Sequence, residues 1–255
     1  MIHPTAIVHP RAQIGEGAEI GPYCVVGDSV SIGKGAKLLA HVVINGNTTI
    51  GDDAKIHPFC SIGAPPQDRK YVGEKSYTVV GARTEIREYV SVHRATGEGE
   101  TTSIGDDSLL LAYVHIAHNC RIGNFVTMSS TAQLAGHVVV EDHATIGGQT
   151  GVHQFVRIGA HAMVGGISRI SRDVPPYVLV AGNPAKPYGL NRVGMQRADF
   201  TPEVMSELKE CYNLIYRSGH NITQAADAMR AIVTTDQSRH LLAFIESPTE
   251  RGIVK

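Results

Sequence analysis

The stretch Ile14-Gly15-Glu16-Gly17-Ala18-Glu19-Ile20-Gly21-Pro22-Tyr23-Cys24-Val25-Val26-Gly27-Asp28-Ser29-Val30-Ser31-Ile32 places an aliphatic residue at every sixth position, and a small residue follows four places after each. The register extends back to Ile2 and Val8 and forward through Leu38, Ile44, Ile50, Ile56 and Ile62. It resumes at Val80, Ile86 and Val92, then runs unbroken from Ile104 to Ile170, giving 26 hexads in all. A period of six with Gly or Asp at the turns is not that of an amphipathic helix, and it is too regular for a sandwich with loops of varied length. Such hexads stack as a parallel β-helix in which three make one triangular coil of roughly 18 residues. Between eight and nine coils are expected.

Two segments break the register. Ala64 to about Val79 contains Pro65-Pro66-Gln67-Asp68-Arg69-Lys70-Tyr71, and Gly97 to Ser103 is rich in Gly, Glu and Thr. A solenoid accommodates insertions only on its surface, where they often line the binding face, so both loops are functional candidates. From Thr201 onward the period changes. Thr201-Pro202-Glu203 reads as a capped helix start, with Val204, Leu208, Cys211 and Ile215 at helical spacing until Gly219. Further helices are expected from near Thr223 and over Ser238 to Glu246. The domain plan is therefore a β-helix over 1–190, with insertions near 64–79 and 97–103, followed by an α-helical domain over 191–255.

Composition removes several functional classes. Lys plus Arg number 23 against 24 Asp plus Glu, so no global field draws the chain to nucleic acid or anionic lipid. No apolar run approaches the ~18 residues of a membrane span, and Met1-Ile2-His3-Pro4 does not read as a charged leader, which points to a soluble, cytoplasmic protein. Cys24, Cys60, Cys120 and Cys211 show no CxxC pair and no zinc-ligand spacing; Cys24, Cys60 and Cys120 fall in the small-residue slot of a hexad.

Folding the hexads by threes brings those beginning at Ile116, Leu134 and Val152 onto one face of successive coils, about 4.8 Å apart. Each carries a histidine, His118, His137 and His153, expected to form a column, with His115 near the same corner. His93 joins them if the Gly97–Ser103 loop leaves the face count unchanged. Two kinds of chemistry suit such a cluster: a metal site, as in zinc enzymes of the γ-carbonic anhydrase type, or acyl transfer with one imidazole as general base. Zinc needs three imidazoles about 2 Å from one ion, and a ladder along an edge fits that poorly.

Several stretches together resemble the UDP-N-acetylglucosamine O-acyltransferases, which catalyse the first step of lipid A synthesis. They are Gln67-Asp68-Arg69-Lys70-Tyr71, Ile86-Arg87-Glu88, His93-Arg94, His115-Ile116-Ala117-His118, Leu134-Ala135-Gly136-His137, Val152-His153-Gln154-Phe155, Asp173-Val174-Pro175-Pro176-Tyr177, Gly182-Asn183 and Tyr216-Arg217-Ser218-Gly219. The resemblance covers essentially the whole chain and implies a left-handed coil. It further implies a homotrimer with sites between neighbouring prisms, and transfer of a 3-hydroxyacyl group from acyl carrier protein to the 3-hydroxyl of UDP-N-acetylglucosamine, with no metal or other cofactor.

By the same resemblance His118 is the general base and the backbone N–H of Gly136 stabilises the thioester oxyanion. Asp68 and Lys70 on the first loop bind substrate, as do Gln67, His93, His115, His137, His153, Gln154, Asn191 and Arg197. Gly166 matches the position that measures acyl length, and it also reads as a turn glycine. The chain departs from the family pattern at Asn119, where Asp is common after the base, and at Val193 and Ala198, where polar or basic residues are common near the nucleotide. Acylation of a 3-amino sugar nucleotide, the related N-acyltransferase of the same pathway, and a non-catalytic scaffold are the remaining alternatives.

Overall fold

Short β-branched rungs separated by turns leave each hexad able to bury only one or two side chains, so the chain gains a core only by stacking. A computed structural model covering Met1–Lys255 shows that stacking. The strands, most of them two residues long, form three sheets of nine, eight and ten strands, parallel except for the last strand of the ten, that make the faces of a left-handed triangular prism. Neighbouring coils pair in register, as in Ile7↔Val25 and Val8↔Val26 or Glu19↔Lys37 and Ile20↔Leu38. The hexad aliphatics therefore point inward in ladders. Ile20, Leu38, Ile56, Ile86, Leu110 and Met128 on one face are all 2 % exposed or less. Each such side chain contributes roughly 2–3 kcal/mol by burial. Cys24, Cys60 and Cys120 are buried in the same interior with no disulfide among them.

The prism turns its corners through residues in the left-handed backbone region, among them Tyr23, His41, Phe59, Tyr89 and Tyr113 with φ between 58° and 66°. A non-glycine residue there costs roughly 1–2 kcal/mol. Ring stacking offsets part of that cost: successive centroids from Tyr23 to Tyr113 lie 4.8–5.0 Å apart with their planes nearly parallel, in the range where aromatic pairs gain about 0.5–1.5 kcal/mol.

The last coil is sealed by the chain's own end. Strand Lys186–Leu190 pairs antiparallel with Val178–Ala181. Asp173, fully buried, is satisfied by Arg157 at 2.8 Å and by the Thr249 hydroxyl at 2.6 Å, while its backbone bridges to the segment around Ile253. Four helices follow the prism: α1 (Arg192–Arg197), α2 (Pro202–Tyr216), α3 (Ile222–Arg230) and α4 (Asp236–Glu246). α2 starts at the Thr201 cap, as the sequence indicates. α3 and α4 begin one and two residues before the expected points, at the Asn221 capping box and the Thr235 cap. α1 carried no periodic signal; it is a short turn whose N-terminus is capped by the Asn191 side chain. No helix is long and apolar enough to cross a membrane.

Candidate active site

The site lies on the nine-stranded face, where strands Ser91–His93, His115–Ile116, Gln133–Leu134 and Gly151–Val152 are successive neighbours. Ser91 pairs with His115, 24 residues on and six more than one coil, so the second loop removes one hexad's worth of chain and leaves the face count intact. His93 accordingly joins the cluster. The first loop and part of this face enclose a cavity of 580 Å³ lined by Gln67, His93, His115, His118, Gly136, His153 and Gln154. Gln133 and Arg169, which sequence reading did not select, line it too.

The expected column of His118, His137 and His153 is resolved more finely. Their strands stack in register, Ile116↔Leu134↔Val152, but the histidines stand two, three and one positions beyond those partners. They occupy three adjacent places around one corner. The residue stacked directly after His118, one coil on, is Gly136. A Cβ there would sit 2.6 Å from His118 Cε1 and 2.7 Å from Nε2, so the absence of a side chain at 136 is what admits the imidazole. The Gly136 N–H has no partner within the chain and borders the cavity.

His118 is held through one ring nitrogen and faces a carboxylate with the other. Its Nδ1 lies 2.9 Å from Asn119 Oδ1, and its Nε2 faces Asp68 Oδ2 at 3.9 Å. The Asn119 amide is itself fixed by two bonds to the backbone of one residue: Oδ1 accepts from Thr96 N–H at 2.9 Å, and Nδ2 donates to the Thr96 carbonyl at 3.0 Å. Only the carbonyl oxygen can therefore face the ring, which assigns the proton of neutral His118 to Nδ1 and leaves the Nε2 lone pair toward the cavity. This answers how an imidazole followed by Asn is oriented: the amide does it, clamped by the start of the second loop.

Burial favours the neutral form of three histidines around His118. Burial first, and then the nearby His93, lowers His115 to about 4, while its Nδ1 bonds Ser91 Oγ at 2.8 Å. Burial likewise lowers His93 and His137, with His118 adding to both. His137 meets His118 edge to face, centroids 5.3 Å apart. Asp68 is held below the usual carboxylate range by the Lys70 backbone N–H, with Thr96, His118 and Lys70 assisting. Lys70 itself is exposed on the same loop. No group of three His, Cys, Asp or Glu side chains converges as metal ligands would.

Three expected positions stand apart from this cluster within one chain. Asn191 donates to the carbonyl of His161 at a different corner, and Arg197 is exposed on the last turn of α1. Gly166 is exposed at a third corner, where a Cβ would come within 3.2 Å of the Gly148 carbonyl oxygen.

Residues 173–254 match the family described as Udp N-acetylglucosamine O-acyltransferase, Domain 2, and residues 2–97 match the GMPPB C-terminal domain. The acyl-[acyl-carrier-protein]–UDP-N-acetylglucosamine O-acyltransferase of Thermodesulfovibrio yellowstonii is 48 % identical over 256 residues, covering 100 % of this chain and 99 % of the relative. The corresponding enzyme of Paraburkholderia phymatum is 45 % identical with the same coverage. Among solved structures, LpxA from Acinetobacter baumannii superposes with a TM-score of 0.97 at 41 % identity, over 100 % of this chain and 99 % of the other.

Proposed function

Since the chain belongs to the UDP-N-acetylglucosamine O-acyltransferase family, we propose that it transfers a 3-hydroxyacyl group from acyl carrier protein to the 3-hydroxyl of UDP-N-acetylglucosamine, the first step of lipid A synthesis, in the cytoplasm. The observation that carries the reading is the setting of His118: Nδ1 tied to Asn119, Nε2 free toward a cavity, and an unpaired backbone N–H at Gly136 beside it. A sugar hydroxyl is a poor nucleophile until its proton is taken. Nε2 of His118 accepts that proton as the oxygen attacks the thioester carbonyl. The Gly136 N–H receives the developing oxyanion, a role worth about 3–4 kcal/mol where it has been dissected. Collapse expels the carrier thiolate, which takes the proton back from the imidazolium, and the base is restored.

Asp68 at 3.9 Å from Nε2 stabilises the transient imidazolium and helps seat the sugar. Lys70, on the same loop, suits the diphosphate as a compact cation. Gln67, His93, His115, His153 and Gln154 shape the remainder of the pocket, and His137 backs His118 from behind its ring. Asn191 and Arg197 lie at another corner of the same chain, so their part in binding is to complete the site of a neighbouring copy. That requirement supports a homotrimer with shared sites. The exposed ridge of Tyr23, Phe59, Tyr89 and Tyr113 supplies apolar surface for self-association. Gly166, exposed at a third corner and with no side chain to block a groove, is the residue we assign to admitting a long acyl chain.

The deciding assay supplies UDP-N-acetylglucosamine or its 3-amino analogue with carrier proteins bearing 3-hydroxyacyl chains of graded length. Ester formation with the hydroxyl substrate and a preference for long chains is the expected result. Amide formation with the analogue alone would reassign the acceptor, and no transfer to either would overturn the proposal.

A further inference from the structure

The segment that carries Gln67, Asp68 and Lys70 has little to hold it in place. Between Ala64 and Tyr77 the chain pairs with no strand, and Gln67, Arg69, Lys70 and Val72 are exposed. Its internal bonds, Lys70 N–H to Asp68 Oδ1 at 3.0 Å and Tyr71 N–H to the Asp68 carbonyl at 3.1 Å, fold the segment on itself without fixing it to the prism.

The fixing is done by Arg94, the residue after His93. Its Nη1 donates to the Gly63 carbonyl at 3.0 Å, at the root of the loop. Nε and Nη2 both donate to the Tyr71 hydroxyl, at 3.2 and 2.8 Å, and the guanidinium lies 5.5 Å from the centre of the Tyr71 ring. The hydroxyl in turn donates to the Glu74 carbonyl at 3.3 Å. The Glu74 carboxylate accepts from Gly97 N–H at 2.7 Å on the second loop and from Val72 N–H at 2.9 Å on the first. Space for the guanidinium is reserved: a Cβ on Gly46 would sit 2.7 Å from Arg94 Nη1, and Gly46 has φ +63°. A planar fork that grips one hydroxyl from two nitrogens while spanning to a backbone carbonyl is a geometry lysine cannot reproduce.

We propose that Arg94 and Tyr71 form a latch that preorganises the Gln67–Lys70 segment for the sugar nucleotide. They are positioning residues: neither needs to touch substrate, and both set where Asp68 and Lys70 stand relative to His118. An error of about 1 Å in such placement can cost 100-fold. The inference rests on the reading above, in which Asp68 and Lys70 bind the acceptor.

The test is steady-state kinetics of the intact oligomer, with UDP-N-acetylglucosamine and acyl carrier protein varied separately, in Tyr71→Phe, Arg94→Lys and Lys70→Ala, alongside thermal unfolding. Tyr71→Phe keeps the ring and deletes only the hydroxyl. It should raise KM for the sugar nucleotide about tenfold, leaving KM for the acyl donor and the unfolding midpoint unchanged. Arg94→Lys should fail to rescue and show the same split. Unchanged KM for the sugar nucleotide in both latch variants would overturn the latch, and so would equal rises in both KM values with a lowered midpoint, the mark of a merely structural role. Lys70→Ala separates the premise from the inference. If it raises KM while Tyr71→Phe does not, the latch alone falls; if it leaves KM unchanged, the substrate-loop reading falls and takes the latch with it.

Discussion

Two corners of the same prism carry histidines one coil apart, and they behave differently. At one, Phe125, His143, His161 and Tyr177 stack face to face, with centroids 4.7, 4.5 and 5.9 Å apart and planes within 21°. Phe200 covers His161 edge-on, and burial, the nearby His143 adding to it, lowers that imidazole to about 4. At the other, His137 takes the same place in its hexad and stacks on Phe155, centroids 4.7 Å apart and planes within 19°, while His118 stands one position earlier, meets His137 at 89° and has a glycine stacked after it. The residue type is shared; the place in the hexad is not. What separates chemistry from packing is an acceptor on Nδ1, an open cavity at Nε2, and a missing side chain one coil on.

That contrast is broken most forcefully at His118. His118→Ala should leave the folded oligomer intact and lower transfer at least about 1000-fold, near the upper range for loss of a general base. His161→Ala should leave the chemical step within a few-fold of the parent. Comparable losses in kcat from both would erase the distinction between the corners. Gly136→Ala comes next. Its Cβ would fall 2.6 Å from the imidazole, and the backbone there is not in the left-handed region, so the damage is confined to ring placement. A drop in kcat of about 100-fold at nearly unchanged KM is expected, since both the base and the oxyanion donor are displaced. Near-parental kcat would show that the imidazole keeps its place with a side chain at 136.

The register of aliphatics was sufficient for the prism, because each hexad buries the same position and one slip would turn a whole rung outward. It was sufficient also to isolate both loops. The corner was legible only in part. Placing three histidine-bearing hexads on one face is correct, yet the stacked partner of His118 follows from adding a full coil, which points to Gly136 and then Gln154 rather than to His137 and His153. The clamp on Asn119 was beyond reach: it depends on the backbone N–H and carbonyl of Thr96, 23 residues upstream across an insertion whose path no periodicity describes. The stacked pair His143 and His161 was equally available in the numbering, and only burial reveals it as packing.

The stacked corner offers a test through pH. Neutral His161 is favoured in the folded state, about 4 against an unfolded value near 6.5, so the unfolded chain binds the extra proton first. Stability contributed by this group is complete above about 6.5 and declines as pH falls toward about 4. At about 1.4 kcal/mol per pH unit the ceiling is about 3 kcal/mol, and partial solvent access brings the expected loss nearer 1–2 kcal/mol. His161→Phe keeps the stack and removes the titration. Denaturant unfolding at pH 7 and pH 5 should show a smaller acid loss in the variant, His115 in the other corner supplying part of what remains. Identical losses would mean that the stack does not hold His161 neutral.

The mildest expected effect sharpens the comparison at its chemical end. In Asn119→Asp one carboxylate oxygen keeps both bonds that Oδ1 now accepts, from Thr96 N–H and from His118 Nδ1. The other oxygen faces the Thr96 carbonyl, where Nδ2 at present donates at 3.0 Å. Residue 119 is 8 % exposed, so that lost donor costs about 1 kcal/mol of stability. Against it, a negative charge beside Nδ1 favours the imidazolium. The acid limb of kcat/KM should move to higher pH. The groups facing His118 moderate the shift: Asp68 already supplies one negative charge at 3.9 Å from Nε2, while His93 and His137 are held neutral by burial. The plateau of kcat should therefore change only a few-fold. A limb that does not move would show that the amide at 119 acts on the ring by hydrogen-bond geometry alone and that Asp68 dominates the charge at this corner.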